Sequence, residues 1–155
     1  MDLSTDYMGL KLDSPLVVSA SPLSNNVENI KKMEQFGASA VVLPSLFEEQ
    51  LRAEANELED HLTQGRDSFA EALSYFPNFE SDEYGSARYL ELVKKAKSAV
   101  KIPIIASLNG STAGGWVSFA KELQQAGADA IELNIYSIPT DTEDSSAQVE
   151  ANTLE

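Results

Sequence analysis

The stretch QAGADAIEL, residues 125–133, repeats the pattern of QFGASAVVL, residues 35–43. In both, a glycine stands where a helix should stop, suited to the left-handed conformation that closes helix C-termini. A small polar residue between alanines follows, and then a short apolar run. The same helix-to-strand corner therefore occurs twice, 90 positions apart, which predicts stacked βα units joined by right-handed crossovers.

Working outward, four segments share one grammar: PLVVSAS (15–21), SAVVLPS (39–45), IPIIASLNG (102–110) and DAIELNIYS (129–137). Each is a run of β-branched or apolar residues that ends in small or polar ones. Continuous apolar runs indicate burial on both faces, as in a parallel sheet covered by helices. The intervening patterns are helical. Asn25 with Glu28 reads as a capping pair before a stripe of Val27, Ile30, Met33 and Phe36. Phe47, Leu51, Leu58 and Leu62 keep one face through an acidic stretch. Leu90, Val93, Ala96 and Val100 form a third stripe, and Trp116, Phe119, Ala120 and Leu123 a fourth. Ser145 with Gln148 is a further capping box. YMGLKLDSP at the start reads as a short hairpin. Residues 63–86, rich in Phe and Tyr, form a long loop expected to serve as a lid or binding loop, or to pack its aromatics on the body.

The chain has 155 residues, enough for one domain spanning 1–155. Its net charge of -14 disfavours nucleic acid and anionic membrane. No cysteine is present, so thiolate metal sites and thiol nucleophiles are excluded. His61 is the one histidine and has no partner ligand in sequence, so no metal site is expected. The acidic run from Glu48 to Asp60 reads as a solvated helix face, and the lysines Lys94, Lys95, Lys97 and Lys101 as complements to a helix end. The polar N-terminus and the lack of any apolar run near roughly 20 residues point to a cytoplasmic protein with no membrane partner.

SPLVVSASP, IPIIASLNG and GADAIELNIYSIPT resemble the first, third and fourth strand ends of the dihydroorotate dehydrogenase family, closest to its dihydroorotate dehydrogenase-like branch. The similarity covers essentially the whole chain. It implies an α/β fold of the TIM (β/α)₈ barrel family, here about half a barrel of four parallel strands with helices after the hairpin. A complete barrel takes about 250 residues.

The resemblance also implies FMN as cofactor and a small substrate, dihydroorotate or a related compound of pyrimidine biosynthesis, oxidised at a C–H bond. Asn134 would lie at flavin and substrate. Ala20 and Ser21 would face the flavin ring, and Ser107 and Asn109 would add polar contacts. Asn78 would touch substrate. Ser137, three residues after Asn134, occupies the position of the family's catalytic base. Serine is a weak base unless relayed, and its alternative role is a turn residue bonding local backbone. Pro44 stands where the family carries a lysine that reaches the flavin. NGSTAGG (109–115) is the one candidate anion loop, with a simple helix start as its other reading. Glu132, alternating with Ile131 and Leu133, would point opposite to them and is expected to pair with a lysine or arginine. The competing functional reading is a half-barrel that folds or assembles without flavin. Its two open sheet edges would pair with another copy or with the other half of a barrel.

Overall fold

The computed structural model describes residues 2–49, 85–110, 117–135 and 145–154. It opens with an antiparallel hairpin, β1 (Thr5–Tyr7) and β2 (Leu10–Leu12). At its tip Met8 and Gly9 both take positive φ, 51° and 78°. Two consecutive left-handed residues make the tight turn whose twist matches paired strands, and asparagine before glycine suits it best. Methionine in that region costs about 1 kcal/mol, and Met8 is exposed. Met8→Asn is therefore expected to raise stability by about 0.5–1 kcal/mol in denaturant unfolding; an unchanged midpoint would count against this turn.

The main sheet is parallel throughout, in the order β3 (Val17–Val18), β4 (Ala40–Phe47), β5 (Ile104–Gly110) and β6 (Ala130–Ile135). Strand order follows chain order, as in a barrel wall built from successive βα units. Helix α1 (Val27–Gln35) links β3 to β4 and α3 (Val117–Ala126) links β5 to β6. Helix α2 (Ser86–Ala99) precedes β5, and α4 (Ser146–Leu154) follows β6. The four expected strands are all present, and the hairpin precedes them.

Both repeated corners close as their glycines require. Gly37 has φ 95° and Gly127 φ 100°. Gly37 N–H bonds Glu34 O and Ala38 N–H bonds Met33 O, each at 3.0 Å; Gly127 to Gln124 and Ala128 to Leu123 do the same at 3.1 Å. The next residue then pairs with the start of the preceding strand, Ser39 N–H with Leu16 O and Asp129 N–H with Ile104 O, both at 2.9 Å. The repeat in sequence is a repeat in backbone geometry.

The outer face of the sheet packs on the helices. Val41, Leu43, Leu46, Ile104, Ala106 and Leu108 share one buried cluster with Ile30, Val93, Phe119 and Leu123. The opposite, inner face is closed below by the hairpin, where Leu12 packs with Ala40, Val42 and Ile105, flanked by Leu10, Ala20 and Ala130. Below the sheet, Glu34 Oε1 accepts the Lys101 amide at 2.7 Å, and Lys97 pairs with Asp129 at 2.6 Å. These ties at the N-terminal ends of the strands serve stability.

Five local expectations are corrected. The α1 cap is Asn26, whose side chain accepts the Glu28 amide at 2.8 Å; Asn25 ends a 3-10 turn, Pro22–Asn25. Phe36 is the helix C-cap and is 88% exposed, outside the buried stripe. Phe47 ends β4 instead of opening a helix, because the strand runs through Pro44 with a register shift between Val42 and Ser45. Proline offers no N–H to a ladder, so a bulge is where a strand tolerates it. Glu48 is buried, not part of a solvated face. Ser86 already belongs to α2, so the aromatic loop ends before it; residues 63–84, like His61 and Trp116, lie outside the described residues. The capping box at Ser145 is present: Ser145 N–H bonds Gln148 Oε1 at 2.9 Å and Gln148 N–H returns to Ser145 Oγ at 3.4 Å.

Candidate functional site

Alternation along β5 sends Ile104, Ala106 and Leu108 to the helices and Ile105, Ser107 and Asn109 to the inner face. Parallel pairing then fixes two rows across that face. Ser45, Ser107 and Glu132 stand side by side on β4, β5 and β6, and one step nearer the C-terminal ends stand Phe47, Asn109 and Asn134. The floor is apolar, the next level polar, and the rim carries two amides. Barrel active sites occupy this end of the strands.

The lower row is a directed chain. Ser107 Oγ donates to Glu132 Oε1 at 2.7 Å, so its oxygen receives the Ser45 hydroxyl at 2.8 Å. Asn134 Nδ2 reaches the same carboxylate oxygen at 3.3 Å. The bonds found for Glu132 are thus to a hydroxyl and an amide, where sequence suggested a lysine or arginine. The register shift at Pro44 is what brings Ser45 opposite Ser107. From behind the sheet, α2 contributes Tyr89. Its hydroxyl accepts the Ser107 amide at 3.0 Å and donates to the Ser107 carbonyl at 3.2 Å. Burial, opposed in part by the bond to Ser107 and reinforced by the nearby Glu132 carboxylate, pushes the Tyr89 phenol up to about 12.

At the rim, Asn109 Oδ1 is buried and has no hydrogen-bond partner among the described residues. A buried acceptor left unmatched costs about 1–3 kcal/mol, and a ligand N–H would satisfy it. An isoalloxazine or pyrimidine ring presents such donors on a flat edge, and Phe47, 41% exposed and in register with Asn109, offers an aromatic neighbour. The residues present therefore fit a flavin-type group.

Of the residues singled out from sequence, the fold brings Ser107, Asn109 and Asn134 together on the inner face. Ala20 packs beside the floor of that face, and Ser21 lies just beyond, at the start of the 3-10 turn. Asn78 and Ser137 lie outside the described residues, as do residues 111–116 of the glycine-rich segment. Sequence reasoning missed Ser45, Phe47 and Tyr89. Among the described residues no group of three or more His, Asp or Glu is placed to hold a metal, and no helix is long and apolar enough to cross a membrane.

Four parallel strands with helices on the outer face and polar residues on the C-terminal rim are part of a TIM barrel wall. Comparison with known proteins agrees. The chain is 28% identical over 134 residues to the catalytic subunit of dihydroorotate dehydrogenase B (NAD(+)) of Thermoplasma acidophilum, covering 86% of this chain and 41% of that protein. It is 30% identical over 142 residues to the NAD-dependent dihydropyrimidine dehydrogenase subunit PreA of Escherichia coli K12, covering 89% of this chain and 33% of that one. A third relative, the dihydroorotate dehydrogenase B catalytic subunit of Methanocella arvoryzae, is 29% identical over 135 residues. No family model matches. These similarities over most of the chain support a dihydroorotate dehydrogenase-like family, of whose curated members the chain spans between a third and two fifths.

Proposed function

We propose that the chain supplies the first half of the active-site rim of an FMN-dependent oxidoreductase of the dihydroorotate dehydrogenase type. The substrate is a small compound such as dihydroorotate or a related dihydropyrimidine, oxidised or reduced at a C–H bond. The observation that carries this reading is the buried, unpartnered Asn109 Oδ1 beside Asn134, above the Ser45–Ser107–Glu132 chain. When bound, the flavin takes or gives the hydride. The residues of this chain bind and orient. Asn109 accepts a ring N–H, Asn134 is steadied by Glu132, and Ala20 lets the ring approach the backbone. Ser137 has the position of the base that removes the neighbouring proton, and a serine needs a relay for that work.

The test is spectroscopic. The purified chain, titrated with FMN, is expected to quench flavin fluorescence, and Asn109→Ala to weaken binding about 10- to 100-fold, matching the loss of one buried acceptor. A chain that takes up no FMN, or an Asn109→Ala variant that binds equally well, would refute the proposal. The second reading, an assembling half-barrel without flavin, is favoured by the exposed apolar residues Leu16, Leu23 and Phe36 beside β3.

A further inference from the structure

The row beneath the rim turns on one group that can only accept. An ionised carboxylate has lone pairs and no donor, whereas hydroxyls and amides can be turned either way. Glu132 is therefore the fixed point from which its neighbours take their direction. Ser107 Oγ gives its proton to Glu132 Oε1 at 2.7 Å. A hydroxyl has one proton, so the 2.8 Å bond between Ser45 and Ser107 is donated by Ser45. Asn134 meets the same carboxylate oxygen at 3.3 Å. An amide can be turned over with little change of shape, but an acceptor-only partner admits its nitrogen alone.

The consequence lies on the other side of each bond. With its proton engaged by Ser107, the Ser45 hydroxyl has only lone pairs left to offer. With Nδ2 drawn to Glu132, the Asn134 carbonyl is directed away from the carboxylate. In register beside it, Asn109 Oδ1 is buried and has no hydrogen-bond partner among the described residues. Three neighbouring strands thus bring acceptor oxygens to one face, and the apolar floor of Val42, Ile105 and Ala130 adds no side-chain donor beneath them.

We propose that Glu132 is a positioning residue that fixes the hydrogen-bond polarity of this rim, so that the rim takes ligand edges carrying N–H donors. The inference rests on the function proposed above and deepens it: the ring selected is a cyclic ureide presented by its N–H edge to Asn109 and Asn134. A ligand edge made only of acceptors, such as a carboxylate, would set oxygen against oxygen here. Glu132 acts through Asn134 and Ser107 and not by touching the ligand. Glutamine at this position keeps the size and loses the polarity, because its amide can donate to Ser107 or to Asn134 and let either turn round.

The test needs no flavin. The side-chain amide signals of Asn109 and Asn134 are followed by nuclear magnetic resonance on the full chain while dihydrouracil, or dihydrouracil methylated on both ring nitrogens, is added. The wild type is expected to bind dihydrouracil about ten-fold tighter than the methylated ring, as one matched acceptor implies. Glu132→Gln is expected to move the Asn134 signals before any ligand is added and to narrow that preference to below about three-fold. The bulk of the methyl groups is common to both proteins, so the change in ratio reads the donors alone. A merely structural Glu132 would alter the unfolding midpoint and leave the ratio as it was. Should Glu132→Gln fail to fold, Asn134→Ala, at an exposed position, is expected to narrow the ratio likewise, read on the Asn109 signals. An unchanged ratio, Asn134 signals that ignore Glu132→Gln, or a wild type that binds neither ring would overturn the proposal. The expected ratio in a chain that takes up no FMN would uphold it and overturn the flavin reading alone; FMN uptake without that ratio would do the reverse.

Discussion

Tyr89→Phe is expected to lower stability by about 2–3 kcal/mol at neutral pH, a large effect for the removal of one oxygen atom. Phenylalanine fills the same space, so no cavity term arises. The loss lies in Ser107, which is fully buried and whose N–H and C=O both bond the Tyr89 hydroxyl. Leaving a buried backbone group without its partner costs about 1–3 kcal/mol. Because these two bonds flank the Cα of Ser107, whose side chain reaches Glu132, the variant is also expected to weaken the FMN binding proposed above without touching the rim. The pH dependence has a definite sign. The folded phenol titrates at about 12 against 10.0 in an ordinary setting, so the native state holds the proton more tightly than the unfolded chain. That stabilisation is complete below pH 10 and is lost as pH rises from 10 to 12, a loss of about 3 kcal/mol. The wild-type advantage over Tyr89→Phe should therefore shrink in alkali. Denaturant unfolding at pH 7 and pH 11 tests both statements, and a gap that stays constant between them would show that Tyr89 is not the titrating group.

The fold was legible because its signals are local. An apolar run without alternation marks a strand buried on both faces, and glycine after a helical stripe marks a left-handed C-cap; both survive in Gly37 and Gly127. What failed to show was set by partners distant in sequence. The strand segment read from sequence stops at Ser45, yet β4 passes Pro44 through a register shift and continues to Phe47. The partner of Glu132 was sought among cations, but cross-strand register delivered Ser107, 25 residues away. Tyr89 is one aromatic in a helix whose apolar stripe predicts only burial; nothing in its neighbours reveals that its hydroxyl is needed behind β5. Phe36 fitted the helical period of its stripe and lies outside the packing, because period gives a face and says nothing of whether a neighbour stands against it. Of the site, the polar ends of the strands were visible in sequence, whereas the chain of bonds beneath them required the register.

Ile104→Ala and Leu16→Ala make the same kind of cut at equivalent positions, and their effects should part according to concentration. Ile104 is fully buried within one chain, between β4 and the helices, so truncating it removes transfer energy and leaves a cavity. The expected cost is about 2–5 kcal/mol, the same at any protein concentration. Leu16 is largely exposed in the single chain, and when dilute its truncation should cost under about 0.5 kcal/mol, as surface changes usually do. If a second copy covers it, as in the assembling half-barrel, the loss appears only where the copies associate, because ligation by a partner adds stability by mass action. Thermal unfolding at low and high protein concentration separates the two sites. The melting temperature of Ile104→Ala should lag wild type by a fixed interval, whereas the lag of Leu16→Ala should open as concentration rises. A constant lag for Leu16→Ala would mean that the residue is packed by its own chain, and the equivalence of the two units would end at the backbone.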